Sequence, residues 1–199
     1  MRIISGTAKG RRLVSPGKKS VGIRPTSDKV RQAIFNILGD SVQGQTVIDL
    51  YAGTGGLGLE ALSRGASMAV FVDNHREALL LIQKNIEHCG FSDRSRVLCR
   101  DLSKGLFFGK MLWSERLFDL VFIDPPYRKG LAALGLEQVA KANLLTREGR
   151  VVVEEAKGVE LPDTCHQLAL EDRRHYGDTL VYIYQRIIGV ESDGELPAV

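Results

Sequence analysis

Cysteine is scarce in this 199-residue chain and odd in number: Cys89, Cys99 and Cys165, with no CxxC spacing. That pattern excludes a disulfide framework and a structural zinc site of the usual ligand spacing. Long apolar runs are missing too, since no unbroken stretch reaches the ~20 residues that span a bilayer. The opening MRIISGTAKGRR carries charges where a secretion signal needs an apolar segment, so a cytoplasmic address is expected. His75, His88 and His166 have no partner at ligand spacing, and no metal is expected. There are no internal repeats and no low-complexity segment. What remains, 44% hydrophobic and 26% charged, is an ordinary globular composition. At roughly 150 residues per domain the length predicts one domain with an appendage.

Charge is unevenly spread. Residues 1–40 hold nine basic side chains against Asp28 and Asp40, a balance of +7, so the remainder must carry −4 to give the overall +3. A basic arm on a mildly acidic body points to a polyanionic partner, because each Lys or Arg that neutralises a phosphate releases a condensed counterion.

The first forty residues differ in texture from the rest. Arg2–Ser5 and Arg12–Ser15 are short apolar runs separated by the glycines of GTAKG, which predicts a small β-ribbon with basic flanks. Thr26 or Ser27 can cap a helix whose apolar positions Val30, Ala33, Ile34, Ile37 and Leu38 lie on one face, with Gly39 as its stop. From Thr46 onward strand and helix patterns alternate. Strands are expected at 46–50, 68–72, 96–99, 118–123 and 150–154, with helices at 57–64, 77–89 and 131–145. Several strands are continuous apolar runs, which predicts a parallel sheet covered by helices on both faces. Two further strands, 167–170 and 180–185, are joined by EDRRHYGDT, too short for a crossover helix, so they should pair antiparallel. The stretch with Phe107, Phe108, Leu112 and Trp113 reads as helix or packed loop, with Trp113 a core residue. The division expected is a basic extension over 1–40, a catalytic domain over 41–188 and a disordered tail over 189–199.

The strand VIDL runs into Tyr51-Ala52-Gly53-Thr54-Gly55-Gly56-Leu57-Gly58 and then a helix pattern. Glycines at such a turn let a ligand approach bare backbone at a helix N-terminus. Gly53, Gly55 and Gly58 satisfy the dinucleotide fingerprint GxGxxG, with Asp73 20 residues beyond Gly53. The discriminating residue is Asp49. Its negative charge would repel a pyrophosphate but favour a cationic group such as the α-ammonium of S-adenosylmethionine. Asp73 can accept from both ribose hydroxyls, and Asp101, ending the third strand, can meet the adenine edge. All three acids fall at carboxyl ends of neighbouring strands, where open α/β sheets bind ligands.

The apolar strand LVFI delivers Asp124-Pro125-Pro126-Tyr127 to the same edge. Two prolines fix the backbone and remove two N–H donors, leaving carbonyl acceptors with little freedom. This suits an exocyclic base amine, a poor nucleophile, with one N–H held by Asp124 and the other by the Pro125 carbonyl while Tyr127 stacks on the flipped base.

Together DLYAGTGGLGLEALSRGA, FIDPPY, RIISGTAKGRRL with RPTSDKVRQAIFNIL, and the late YGDT before LVYIY resemble the bacterial small-subunit ribosomal RNA guanine-N2 methyltransferases over about residues 1–186. The resemblance implies a Rossmann-like methyltransferase: a mostly parallel seven-stranded sheet with its last strand antiparallel, plus the basic ribbon and helix. It implies S-adenosylmethionine as donor and N2 of one guanine in 16S rRNA as acceptor, presented in a partly assembled 30S particle. Asp124, Pro125, Pro126 and Tyr127 become the expected catalytic residues, and Asp49, Tyr51, Gly53, Gly55, Asp73, Asn74, Asp101 and Leu102 the expected cofactor contacts. Arg11, Arg12, Lys18, Lys19, Arg24, Arg173 and Arg174 become expected rRNA contacts that hold a structured loop while its base flips. A monomer is expected. The chain departs from the family pattern at Thr54, Gly56, the pair Asn74-His75, and Tyr127 in place of a common Phe. Competing readings are an N6-adenine methyltransferase on DNA or RNA, a nicotinamide-dependent oxidoreductase using GxGxxG, and a non-catalytic rRNA-binding assembly protein.

Overall fold

The computed structural model describes residues 1–17, 27–106 and 117–187. Lys18, Lys19, Arg24, the aromatic stretch with Trp113 and the tail over 189–199 lie outside the described residues. Among the described residues eight strands form one sheet: β1 (Thr46–Leu50), β2 (Met68–Asp73), β3 (Ser95–Cys99), β4 (Phe118–Ile123), β5 (Leu145–Ala156), β6 (Thr164–Cys165), β7 (Leu168–Tyr176) and β8 (Thr179–Arg186). The helices are α1 (Asp28–Leu38), α2 (Gly56–Ser63), α3 (Arg76–Cys89) and α4 (Leu131–Lys141).

The strand order is β3-β2-β1-β4-β5-β8-β7-β6. The first five strands are mutually parallel, and β8 runs antiparallel to both β5 and β7. Direction of travel reverses between β1 and β4, and the crevice outside their carboxyl ends is where such sheets bind ligands. The parallel sheet, its covering helices and the antiparallel ending follow the expectation from sequence.

Three expectations need correction. The sheet has eight strands instead of seven, because Thr164 and Cys165 add a two-residue edge strand to β7. The polar stretch after Leu170 is not a connector. Glu171–Tyr176 continue β7 against β8, and Gly177-Asp178 alone make the turn. These residues project from a part of the sheet with little cover, so a strand there has no need of apolar side chains. The last helix stops at Lys141 instead of reaching Leu145, since Asn143 takes a left-handed φ of 49° and Leu145 already pairs with Phe118 as the start of β5.

Side-chain alternation divides the core by sheet face. Val47, Phe71, Leu120, Phe122 and Val152 pack with α1, α2, α3 and the N-terminal ribbon. Ile48, Leu50, Val121, Ile123 and Val153 pack with α4, Leu102 and Leu106 on the other face. Gly58 lets α2 lie directly on β2, because a Cβ there would come within 2.9 Å of Phe71 Cζ and closer still to Cε1.

The ribbon is small: Arg2 bridges Arg12, with the Ile3 and Arg11 backbones and the Gly10 and Ile3 backbones hydrogen-bonded. It is pinned to α2. Glu60 Oε2 and Oε1 accept from the Ile4 and Ser5 amides at 2.8 and 3.0 Å, and Ser63 Oγ accepts from the Ala8 amide at 2.9 Å. Gly6, at φ 78°, passes so close to the Ser63 carbonyl that any side chain would overlap it. Ser27 caps α1 as expected, its hydroxyl accepting from the Val30 amide. Arg31, counted with the basic arm by sequence, is wholly buried instead, donating to the Arg2 carbonyl and Asp28 and pairing with buried Glu60 at 3.7 Å. Among the described residues no helix is long and apolar enough to cross a membrane.

Candidate active site

β1 is followed by Tyr51, a non-glycine residue at φ 60°, and the chain then turns through Gly53 (φ 57°) and Gly55 (φ 79°) into α2. Only glycine accepts such angles without strain, so the loop can double back at the sheet edge. Three hydrogen bonds from side chains help to fix it. Asp73 Oδ2 accepts from the Gly53 amide at 2.9 Å, Asp49 Oδ2 accepts from the Gly58 amide at 2.9 Å, and Asn85 Nδ2 donates to the Thr54 carbonyl at 2.9 Å.

A cavity of about 780 Å³ opens at this edge. Tyr51, Gly53, Asp73, Asn74, Asp101 and Leu102 border one part of it, and Asp124, Pro125, Pro126, Tyr127, Glu154 and Thr179 another. Six of the eight expected cofactor residues and the four of the proline turn therefore share one space. The Tyr51 hydroxyl is buried with no hydrogen-bond partner among the described residues, and burial, with the negative charge of Asp101 adding to it, pushes its pKa up to about 12. A neutral phenol is thus available to a ligand. Asp73 also accepts from the His75 amide at 2.9 Å, and Asp101 accepts from the Ser103 hydroxyl and amide, which hold its carboxyl below the usual range.

Gly55 and Asp49 do not border the cavity. Asp49 lies beneath the loop, 1% exposed, on the α2 face of the sheet with Val47. Burial pushes its pKa well above the ordinary value, with the Gly58 amide opposing and the charges of Asp124 and Asp73 adding to the rise.

The proline turn is held from β5. Tyr127 Oη donates to Glu154 Oε1 and shares a hydrogen bond of 3.0 Å with Thr179 Oγ1. Its pKa is raised, first by burial and then by the Glu154 charge. The next glutamate points to the opposite sheet face and takes the backbone instead. Glu155 Oε1 accepts from the Arg128 amide at 3.0 Å, steadying a residue at φ 59°. Tyr127 is therefore not a freely rotating stacking platform but a ring tied at both ends.

Sequence reading missed Glu154 and Thr179, and it missed Lys29, Arg100 and Lys129 at the cavity wall. For Glu154 a signal existed: it is a carboxylate at the carboxyl end of a buried strand, the same signal that singled out Asp73 and Asp124. Of the expected rRNA contacts, Arg12 is exposed. Arg11 donates to the His88 carbonyl at 2.6 Å, while Arg173 pairs with Glu160 and Arg174 with Asp172 at 2.7 and 2.8 Å.

The sheet order with β8 inserted antiparallel beside β5, and the acid-lined edge between β1 and β4, define a Rossmann-like methyltransferase fold of the S-adenosylmethionine-dependent class. A dinucleotide-binding sheet would continue parallel past β5. The same fold is found in an RNA methyltransferase from Salinibacter ruber solved with S-adenosyl-L-homocysteine, at a TM-score of 0.61 and 16% identity, covering 87% of this chain and 100% of that one. Within that class the chain belongs to the family described as Conserved hypothetical protein 95, whose model matches residues 1–185. It is 36% identical over 186 residues to YlbH of Bacillus subtilis, covering 94% of this chain and 99% of that one. It is 32% identical over 195 residues to Ribosomal RNA small subunit methyltransferase D of Escherichia coli K12, covering 98% and 94%.

Proposed function

We propose that the chain transfers a methyl group from S-adenosylmethionine to the exocyclic N2 of a guanine in 16S rRNA, presented in an assembled or partly assembled 30S subunit. The observation that carries this reading is the shared cavity, with the glycine loop and its acids on one side and Asp124-Pro125-Pro126-Tyr127 on the other. The E. coli relative, a small-subunit rRNA methyltransferase by name, supports the class of substrate.

The donor set fits the cofactor. Bare backbone at Gly53, the acceptors of Asp73 and Asp101 and the buried hydroxyl of Tyr51 match a ligand rich in hydroxyl and amino groups. Asn74 and Leu102 border the same space, and Gly55 shapes the turn. Asp49 contributes negative potential from beneath the loop and holds the first turn of α2 through Gly58. When bound, S-adenosylmethionine supplies a sulfonium-activated methyl group.

Asp124 accepts one N–H of the base amine and the Pro125 carbonyl the other, turning the nitrogen lone pair toward the methyl carbon. Pro126 keeps the turn rigid, and Tyr127 covers the base. The bound donor would supply an electrophilic methyl carbon, with the electrons of its C–S bond staying on sulfur, and Asp124 would take the surplus proton that N2 carries once the new N–C bond has formed. The basic segment, with Arg11, Arg12, Lys18, Lys19, Arg24 and Lys29, contacts rRNA phosphates, and Arg173 and Arg174 extend that surface once rRNA competes for their exposed ion pairs.

The test is transfer of labelled methyl to 30S particles lacking the modification, with naked rRNA and duplex DNA alongside, followed by nucleoside analysis. Label in N2-methylguanosine is expected. Label in N6-methyladenine would keep the fold and the site but replace the acceptor.

A further inference from the structure

We infer that Glu154 reads the guanine: its carboxylate accepts the N1–H of the base while Asp124 accepts from the neighbouring N2 amine. This rests on the guanine-N2 reading above and assigns the residue that sets base choice within it.

Glu154 stands near the carboxyl end of β5, only 3% exposed, yet it borders the same cavity as Asp124 and Pro125 and bonds Tyr127 of the same turn. Its neighbour Glu155 faces away and is occupied by the Arg128 and Ala156 amides, so of the pair Glu154 is the one that borders the cavity. Tyr127 Oη donates to Glu154 Oε1 and is itself bonded to Thr179. A carboxylate offers about four acceptor positions, so holding Tyr127 does not use up its capacity.

The chemistry of the two purines makes this arrangement selective. Along its Watson–Crick edge guanine presents two adjacent donors, N1–H and the N2 amine, whereas adenine presents its amine beside an N1 lone pair. Two neighbouring carboxylates match the first edge, and the second would set a lone pair against a negative charge. The contact that favours guanine therefore also rejects adenine.

The probe is 2-aminopurine, which keeps the 2-amine but has no N1–H. Acceptor RNA carrying guanine or 2-aminopurine at the methylated position is assembled into 30S particles, and kcat/KM is measured with wild type, Glu154→Gln and Tyr127→Phe. Wild type should prefer guanine by about 10- to 100-fold, the range for a hydrogen bond to a charged group. In Glu154→Gln the preference should fall at least about tenfold, because the amide can donate to the bare N1. Tyr127→Phe should lower rates on both acceptors and leave their ratio in place. A ratio unchanged in Glu154→Gln, or altered equally by Tyr127→Phe, would show that Glu154 only positions the tyrosine and overturn the assignment. S-adenosylhomocysteine binding by calorimetry reports whether each variant is folded. Should Glu154→Gln not fold, wild type alone decides, since a guanine preference below about threefold overturns the assignment. Wild type that leaves no N2-methylguanosine on the guanine acceptor fails the underlying reading, an outcome distinct from an unchanged ratio.

Discussion

Asn85 grips the peptide of Val14 from both sides: its Oδ1 accepts from the Val14 amide at 2.6 Å, and its Nδ2 donates to the Val14 carbonyl at 3.1 Å. The same Nδ2 donates to the Thr54 carbonyl at 2.9 Å, so one buried amide on α3 ties the end of the ribbon to the glycine loop. Asn85→Leu removes three hydrogen bonds and strands buried backbone groups. We expect a loss of about 2–4 kcal/mol in urea unfolding, at about 1 kcal/mol or more per bond. S-adenosylhomocysteine affinity should fall with it, since the Thr54 end of the loop is released.

Asp73 is the second clamp on that loop, with one oxygen on the Gly53 amide and the other on the His75 amide, each at 2.9 Å. Asp73→Asn leaves one of these amides facing an NH2 group. Calorimetric titration with S-adenosylhomocysteine should give a Kd weaker by about 10- to 100-fold, the range for a lost charge-assisted hydrogen bond. Unchanged affinity would remove Asp73 from the cofactor site.

Tyr127 separates ring from hydroxyl. Tyr127→Phe loses the bonds to Glu154 and Thr179 but keeps the ring, whereas Tyr127→Ala loses both. Methyl transfer to 30S particles should fall only several-fold in the first and by about 10- to 100-fold more in the second, as stacking on a flipped base is worth about 1–3 kcal/mol. Cofactor affinity should be the same in both.

Asp49 predicts a direction for pH dependence. Its carboxyl is raised in the folded protein, chiefly by burial, so the folded state binds this proton more tightly than the unfolded state does. Stability from this group is therefore full at low pH and is lost as pH climbs from the ordinary value of 3.8 upward. Asp49→Asn keeps an acceptor for Gly58 without the ionisation. The Tm of wild type relative to this variant should decline as pH rises from about 4 to 7, and a flat difference across that range would refute the argument.

Much of this architecture was legible in the chain. The apolar runs at Ala69–Val72 and Leu120–Ile123 announce strands buried on both faces, and Asp73 and Asp124 follow them as strand-end carboxylates. The illegible parts depend on partners far apart in sequence. Glu154 reads as one more residue of a strand until Tyr127, 27 positions earlier, is seen to donate to it. Arg31 counts as one cation among nine until Glu60 and the Arg2 carbonyl are found around it. Glu171–Tyr176 lack the apolar alternation of a strand because little packs on them, so the pattern that marks β1 is missing from β7.

The clamps on the ribbon also bear on how the molecule comes into being. Ile4 and Ala8 wait for Glu60 and Ser63, 55 or 56 residues downstream, and Val14 waits for Asn85, 71 residues downstream. During synthesis the ribbon has nothing of α2 or α3 to fold against until those helices have followed it. Closing loops of that length carries an entropic cost before any contact repays it, so the ribbon docks late. Until those partners follow, its cationic side chains stay exposed to solvent.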